Sequence, residues 1–187
     1  MDNLELSQLI YTRISHDLSG CVGAIYNGTE LLEEDPTFIS ESADLIKSSA
    51  ETLMARLRFF RQTFGLPKKD EDIQDTTTQY LKTFSIPFTL NQTCTNNLQR
   101  VLIMCLTDYF YKGANITLTE NTIIFSGKAL KNIEELVTLF KSGNAAKIAL
   151  NAPGFYAYYL SQKEKILIQI ETEENTVRIK LDINVNP

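Results

Sequence analysis

The sequence predicts an α+β fold: an N-terminal antiparallel helical hairpin followed by an α/β sandwich. Three observations carry that reading. Apolar residues recur at helical steps over two long stretches, 4–33 and 38–64, with little more than Asp35-Pro36 between them. A polar, breaker-rich stretch, GLPKKDEDIQD, then runs from Gly65 to Asp75. After it, short alternating runs and short helical runs take turns, which is the pattern of one mixed sheet with helices on one face. The expected division is 1–65 for the hairpin, 66–75 for a linker and 76–187 for the α/β part.

In the first helix Leu6, Ile10, Ile14, Leu18, Cys21, Ile25 and Leu32 form one apolar stripe. About 30 residues give a rod of roughly 45 Å. Asp35 suits an N-cap and Pro36 the first helical position. The second stripe is Phe38, Ser42, Ile46, Ser49, Leu53, Leu57, Phe60 and Phe64, closed by Gly65 and Pro67. So short a turn makes the helices antiparallel. A two-helix hairpin cannot cover both its stripes. Either a second copy completes a four-helix bundle, or the rest of the chain covers them; the homodimer is the preferred expectation.

Downstream, Ile73 to Phe84 reads as a short helix and Ile86 to Leu90 as a strand. Leu98 to Tyr111 reads as a strongly apolar helix. Asn115–Thr119 and Thr122–Ser126 alternate as a hairpin about Glu120-Asn121. Ala129 to Phe140 and the aromatic stretch Pro153 to Gln162 read as helices. Ile166–Glu171 and Thr176–Ile183 form a last hairpin, turning at Glu173 to Asn175.

Composition removes several function classes. With 43% apolar and 22% charged residues in 187, the chain is ordinary globular protein. Its net charge is −5 and its one basic doublet is Lys68-Lys69, so no nucleic-acid footprint is expected. No apolar run exceeds the six residues of Val101 to Leu106, far short of the ~20 residues of a membrane span. An N-terminus with Asp2 and Glu5 lacks a signal pattern, and a cytoplasmic location is expected. Cys21, Cys94 and Cys105 are scattered among apolar or small residues and read as reduced core thiols. His16 is the single histidine, which excludes every site built on two or more. No Cys-x-x-Cys, P-loop or Gly-x-Gly-x-x-Gly pattern is present, so no metal or cofactor of its own is expected.

The chemistry concentrates around that histidine. On a helical wheel Ile14, Leu18, Cys21 and Ile25 point one way, while Arg13, His16, Gly20, Gly23 and Asn27 share another face. Two mid-helix glycines each cost about 1 kcal/mol relative to Ala. They serve either close helix packing or the approach of another protein's backbone to the imidazole. Asp17 favours the second use. A neighbouring carboxylate can accept the Nδ1 proton and leave Nε2 as a free nucleophile. Phosphoryl transfer needs little more than an in-line nucleophile and charge stabilisation.

The stretch SHDLSGCVGAIYNGTELL resembles the histidine box of sensor histidine kinases, with its His-acid pair early in a bundle helix. It is still more similar to ChpT-type histidine phosphotransferases of alphaproteobacterial phosphorelays, which read HDLxSPxGAIxNGxELL. His16, Asp17, Leu18, Gly23, Ala24, Ile25, Asn27, Gly28, Glu30, Leu31 and Leu32 carry the match. Cys21 stands where that family has Pro, which removes a helix kink. The resemblance implies a homodimer with a kinase-like bundle and a degenerate kinase-like C-terminal domain. It also implies phosphate relay between receiver domains of a hybrid kinase and of response regulators. His16 and Asp17 are then catalytic, and Arg13, Gly20, Gly23 and Asn27 dock the receiver. Mg²⁺ is expected from the receiver. ATP is not expected: Met104 and Asp108 stand at the Asn-x-x-x-Asn positions of kinases, and Ser126-Gly127-Lys128-Ala129 replaces the adenine-reading Asp motif. The competing expectation is a non-catalytic, pseudokinase-like dimer that sequesters a response regulator.

Overall fold

The computed structural model describes residues 1–65, 76–92, 94, 96–128 and 130–183. Helix α1 spans Asn3–Glu34. Its N-terminus is closed by a capping box in which Asp2 accepts from the Glu5 N–H at 2.8 Å and Glu5 accepts from the Asp2 N–H at 3.2 Å. At Asp35 the backbone turns extended, and its carboxylate accepts from Thr37 N–H at 2.8 Å. One 3₁₀ turn, Pro36–Phe38, reverses the chain into α2, Ile39–Phe64. The hairpin expected from the two stripes is present.

The rest comprises α3 (Thr76–Leu81), β1 (Phe88–Leu90), α4 (Asn97–Thr107), β2 (Ala114–Leu118), β3 (Thr122–Gly127), α5 (Glu134–Ser142), α6 (Ala152–Glu164), β4 (Ile166–Glu173) and β5 (Thr176–Ile183). The strands form one mixed sheet in the order β1-β2-β3-β5-β4, with β1 parallel to β2 and the other pairs antiparallel. Alternation decides which face is covered. Ala114, Ile116 and Leu118 of β2, Ile123 and Phe125 of β3, and Val177, Ile179 and Leu181 of β5 are buried. Helix α4 is buried from Leu98 to Thr107 between sheet and hairpin, with α6 packed beside it.

One core therefore runs from the hairpin into the sheet. Phe59 stacks on Tyr80 with centroids 3.9 Å apart, and Phe64 meets Tyr156 at 5.1 Å. Of the two ways to cover the hairpin, the chain itself accomplishes one for the start of α1 and the end of α2. Val22, Tyr26, Ile39 and Leu45, toward the hairpin turn, remain exposed.

Several boundaries differ from expectation. Phe59 is fully buried, whereas Leu57 of the expected stripe is exposed, because α3 packs against the Phe59 side. Helix α4 ends at Thr107 and not at Tyr111, since Phe110 leaves it to form a β-bridge with Leu130. That bridge also delays α5, which starts at Glu134 where Asn132 accepts its N–H at 2.8 Å, rather than at Ala129. The expected linker 66–75, with Pro67, Lys68, Lys69 and Ile73, and Ala129 lie outside the described residues. All three cysteines are buried and unpaired; burial pushes the Cys94 thiol up to about 11. No described helix is long and apolar enough to cross a membrane.

Candidate functional site

His16 lies midway along α1, and its imidazole is 85% exposed. Asp17, one residue on, turns inward and leaves only 15% of its side chain accessible. Nδ1 of the ring stands 3.5 Å from Asp17 Oδ1. That contact is long against the ~2.9 Å of a typical N–H···O bond. The geometry pairs a solvent-facing imidazole with a carboxylate on its Nδ1 side.

The carboxylate is held from behind. Arg13 Nε donates to Asp17 Oδ2 at 2.9 Å, and Arg13 Nη2 donates to Asp108 Oδ1 at 2.9 Å. Arg13 was expected on the docking face; its side chain is instead 10% exposed and buried between two acids. The reason is electrostatic. Asp17 sits one helical turn along, within reach, and Asp108 enters from the end of α4. Both acids hold the guanidinium firmly charged against its burial. Burial pushes the Asp108 carboxyl above the usual carboxylate range, and Arg13 counteracts that.

Arg56 of α2 fixes the same turn from another side. Its Nη1 donates to the Asp17 carbonyl at 2.7 Å, its Nε to Thr83 Oγ1 at 3.2 Å, and its guanidinium lies 5.8 Å from the Phe84 ring centroid. The backbone beside His16 is thus tied to α2 and to the segment after α3.

The outward face is bare. A Cβ added at Gly20 or Gly23 would meet nothing within 4 Å. Asn27 is exposed farther along the same side. A shallow groove of about 280 Å³ opens beside Gly20, lined across α2 by Ser48, Ser49, Thr52 and Arg56. The close-packing glycine is another one. At Gly28 a Cβ would lie 2.7 Å from Ile46 Cγ1 and 3.3 Å from the Ser42 carbonyl oxygen, so α2 approaches there.

The sequence analysis places Arg13 on the docking face with His16; the four-residue spacing of Arg13 and Asp17 is a local signal for their ion pair. Asp108 and Arg56 carried no local signal, since their partners are 95 and 39 residues away. Met104 and Asp108, read as the kinase Asn positions, part company: Met104 is fully buried in the core and Asp108 is bound to Arg13.

No family model matches the chain. A sequence relative does. The protein phosphotransferase ChpT of Brucella abortus (strain 2308) is 40% identical over 92 residues, which is 46% of this chain and 44% of that protein. The likeness is to ChpT. It spans less than half of that relative, and it agrees with the resemblance carried by residues 16–32. A structure of a bacterial phosphotransferase superposes with a TM-score of 0.80 over 97% of this chain and 98% of its own, at 23% identity, which establishes a shared fold. The histidine kinase AdeS of Acinetobacter baumannii reaches a TM-score of only 0.35 at 15% identity, too low to bear on the fold.

Proposed function

We propose that this chain is a histidine phosphotransferase that relays a phosphoryl group between receiver-domain aspartates through phospho-His16. The observation that carries the reading is the pairing of an 85% exposed imidazole with a 15% exposed carboxylate on its Nδ1 side, on a helix face left open at Gly20 and Gly23. The likeness to ChpT supports the same reading.

The Nε2 lone pair attacks phosphorus in line. The Nε2–P bond forms as the P–O bond to the receiver's aspartate breaks, and the carboxylate leaves with the bonding pair. The ring keeps its Nδ1 proton, which Asp17 accepts in a hydrogen bond, offsetting the positive charge of the phosphorylated ring. The reverse sequence hands the group to a second receiver. Mg²⁺ belongs to the receiver in this reading. ATP plays no part; burial of Met104 and engagement of Asp108 by Arg13 support that.

A homodimer is part of the proposal. Tyr11 and Val22 on α1 are exposed apolar side chains about 120–140° around the helix from His16, and Ile39, Met54 and Leu57 are exposed on α2. Joining two hairpins through these faces makes a four-helix bundle and leaves the His16 side free for a receiver.

The test is incubation with a receiver domain loaded with radiolabelled phosphate on its aspartate. Label should move to the wild-type chain and not to His16→Ala. Label on His16→Ala, or a wild-type chain that binds the receiver and stays unlabelled, would overturn the proposal.

A further inference from the structure

We infer that Asp108 and Arg13 are positioning residues for His16: the sheet-bearing half of the chain sets the Asp17 carboxylate and, through it, the tautomer of the imidazole. The inference rests on the phosphotransfer reading for its kinetic consequence, and on geometry for the rest.

The distances rank the forces on Asp17. Its contact with the ring is 3.5 Å, and its contact with Arg13 is 2.9 Å and charge-assisted. An exposed imidazole 3.5 Å away constrains a carboxylate less than a buried guanidinium at 2.9 Å does. Arg13 in turn is not free to choose its own direction. Its Nε and Nη2 point to two different acids, so the planar fork is fixed only while both are present. Removing Asp108 leaves Arg13 free to swing and Asp17 free to follow.

Asp108 is also placed where only Arg13 and, less strongly, Lys131, whose ammonium donates to the Asp108 carbonyl at 3.0 Å, favour a carboxylate. It lies directly after Thr107, at the negative end of the α4 dipole, and its side chain is 15% exposed. Its second oxygen, Oδ2, has no hydrogen-bond partner among the described residues. Burial drives its carboxyl upward, against the pull of Arg13. A side chain that served packing alone at this position would be apolar. Its one strong side-chain contact leads through Arg13 to the residue beside His16.

The single histidine makes the test direct. The ring ¹⁵N shifts of His16 report its tautomer in the isolated protein, with no receiver and no phosphate. Wild type should show a predominantly Nδ1-protonated neutral ring. Asp108→Ala should shift the ring toward the Nε2-protonated form, and Asp108→Asn, which keeps an acceptor for Arg13, should restore the wild-type pattern. Arg13→Lys, whose ammonium lacks the rigid planar fork that fixes two separate directions, should behave as Asp108→Ala and serves where that variant melts too early. At saturating phospho-receiver, transfer by Asp108→Ala should slow by about ten- to a hundredfold with receiver affinity unchanged. In an Asp17→Asn background the same change should have no further effect on rate.

A folded Asp108→Ala or Arg13→Lys with the wild-type tautomer overturns the inference. So does a rate loss that persists undiminished in Asp17→Asn, because Asp108 would then act by some route other than Asp17. A wild-type chain that accepts no phosphate defeats the function proposal alone, because the ring spectrum is read without it.

Discussion

On α1, the side that carries His16, Gly20, Gly23 and Asn27 meets solvent, whereas the side that carries Arg13, Cys21 and Gly28 meets the rest of the chain at each turn. The two glycines Gly23 and Gly28 are five residues apart and do opposite things. A methyl group at the first has open space; at the second it strikes Ile46. The difference teaches that residue type alone does not divide docking surface from packing surface. What divides them is whether another element arrives on that side. Helix α2 and Asp108 at the end of α4 arrive on the inner side; the outer side is left open to solvent, where the proposed receiver would dock.

The comparison breaks most completely at His16. His16→Ala should reduce phosphate acceptance to background while the melting temperature barely moves, since an exposed side chain with one long contact contributes within about 0.5 kcal/mol. Asp17 joins the two sides, and its loss should be the next largest effect. Asp17→Asn keeps the shape and removes the charge that holds the Nδ1 proton, so transfer should slow by about 10²–10⁴-fold. An unchanged rate in a single-turnover assay would reduce Asp17 to a partner of Arg13.

The glycines sharpen the comparison. Gly28→Leu should lower stability by about 1–3 kcal/mol or more, because α2 has no room to move away without losing Ser42 and Ser49 from the interface. Gly23→Leu should leave the melt intact and impair transfer by blocking the receiver. Gly23→Ala should raise stability by about 0.5–1 kcal/mol through the unfolded chain. Denaturant melts and receiver binding on the same variants decide it. A destabilised Gly23→Leu that binds and transfers normally would move the docking face elsewhere.

The sequence made one side of the site legible and not the other. His16, Asp17 and the glycines are local, and helical periodicity puts them where they are found. The hairpin, the strand order within each β-hairpin and the short aromatic helix α6 are also local patterns, and they hold. The inner side depends on a contact between residues 13 and 108 that no window contains. Arg13 was misread for that reason: a cation on a polar helix face looks solvent-exposed until an acid arrives from another element. The same blindness moved the ends of α4 and the start of α5, which are decided by the Phe110–Leu130 bridge and not by propensity.

The smallest expected effect tests whether Asp108 is kept for stability. Burial raises its carboxyl pKa in the folded chain, and the raising outweighs the opposing pull of Arg13. The folded state therefore holds a proton over a pH range in which the unfolded chain has already lost it. By linkage, stability falls as pH rises wherever the native state binds more protons. The contribution of Asp108 is then fully present below the ordinary carboxylate pKa and is lost as pH climbs through the raised value. Asp108→Asn removes the titration but keeps the acceptor. The stability of wild type relative to Asp108→Asn, from urea midpoints at a series of pH values from about 4 to 7, should fall as pH rises. Carboxylates remote from Asp108 cancel in that difference, and repeating it in an Asp17→Asn background removes the acid that shares Arg13. A difference that grows with pH would have the opposite sign and would mean that the Arg13 pair outweighs the burial of the acid. Asp108 would then stabilise the fold in its charged form, and its placement would be explained without reference to His16. A falling difference leaves a charged Asp108 that stability does not account for, opposite the residue that holds Asp17.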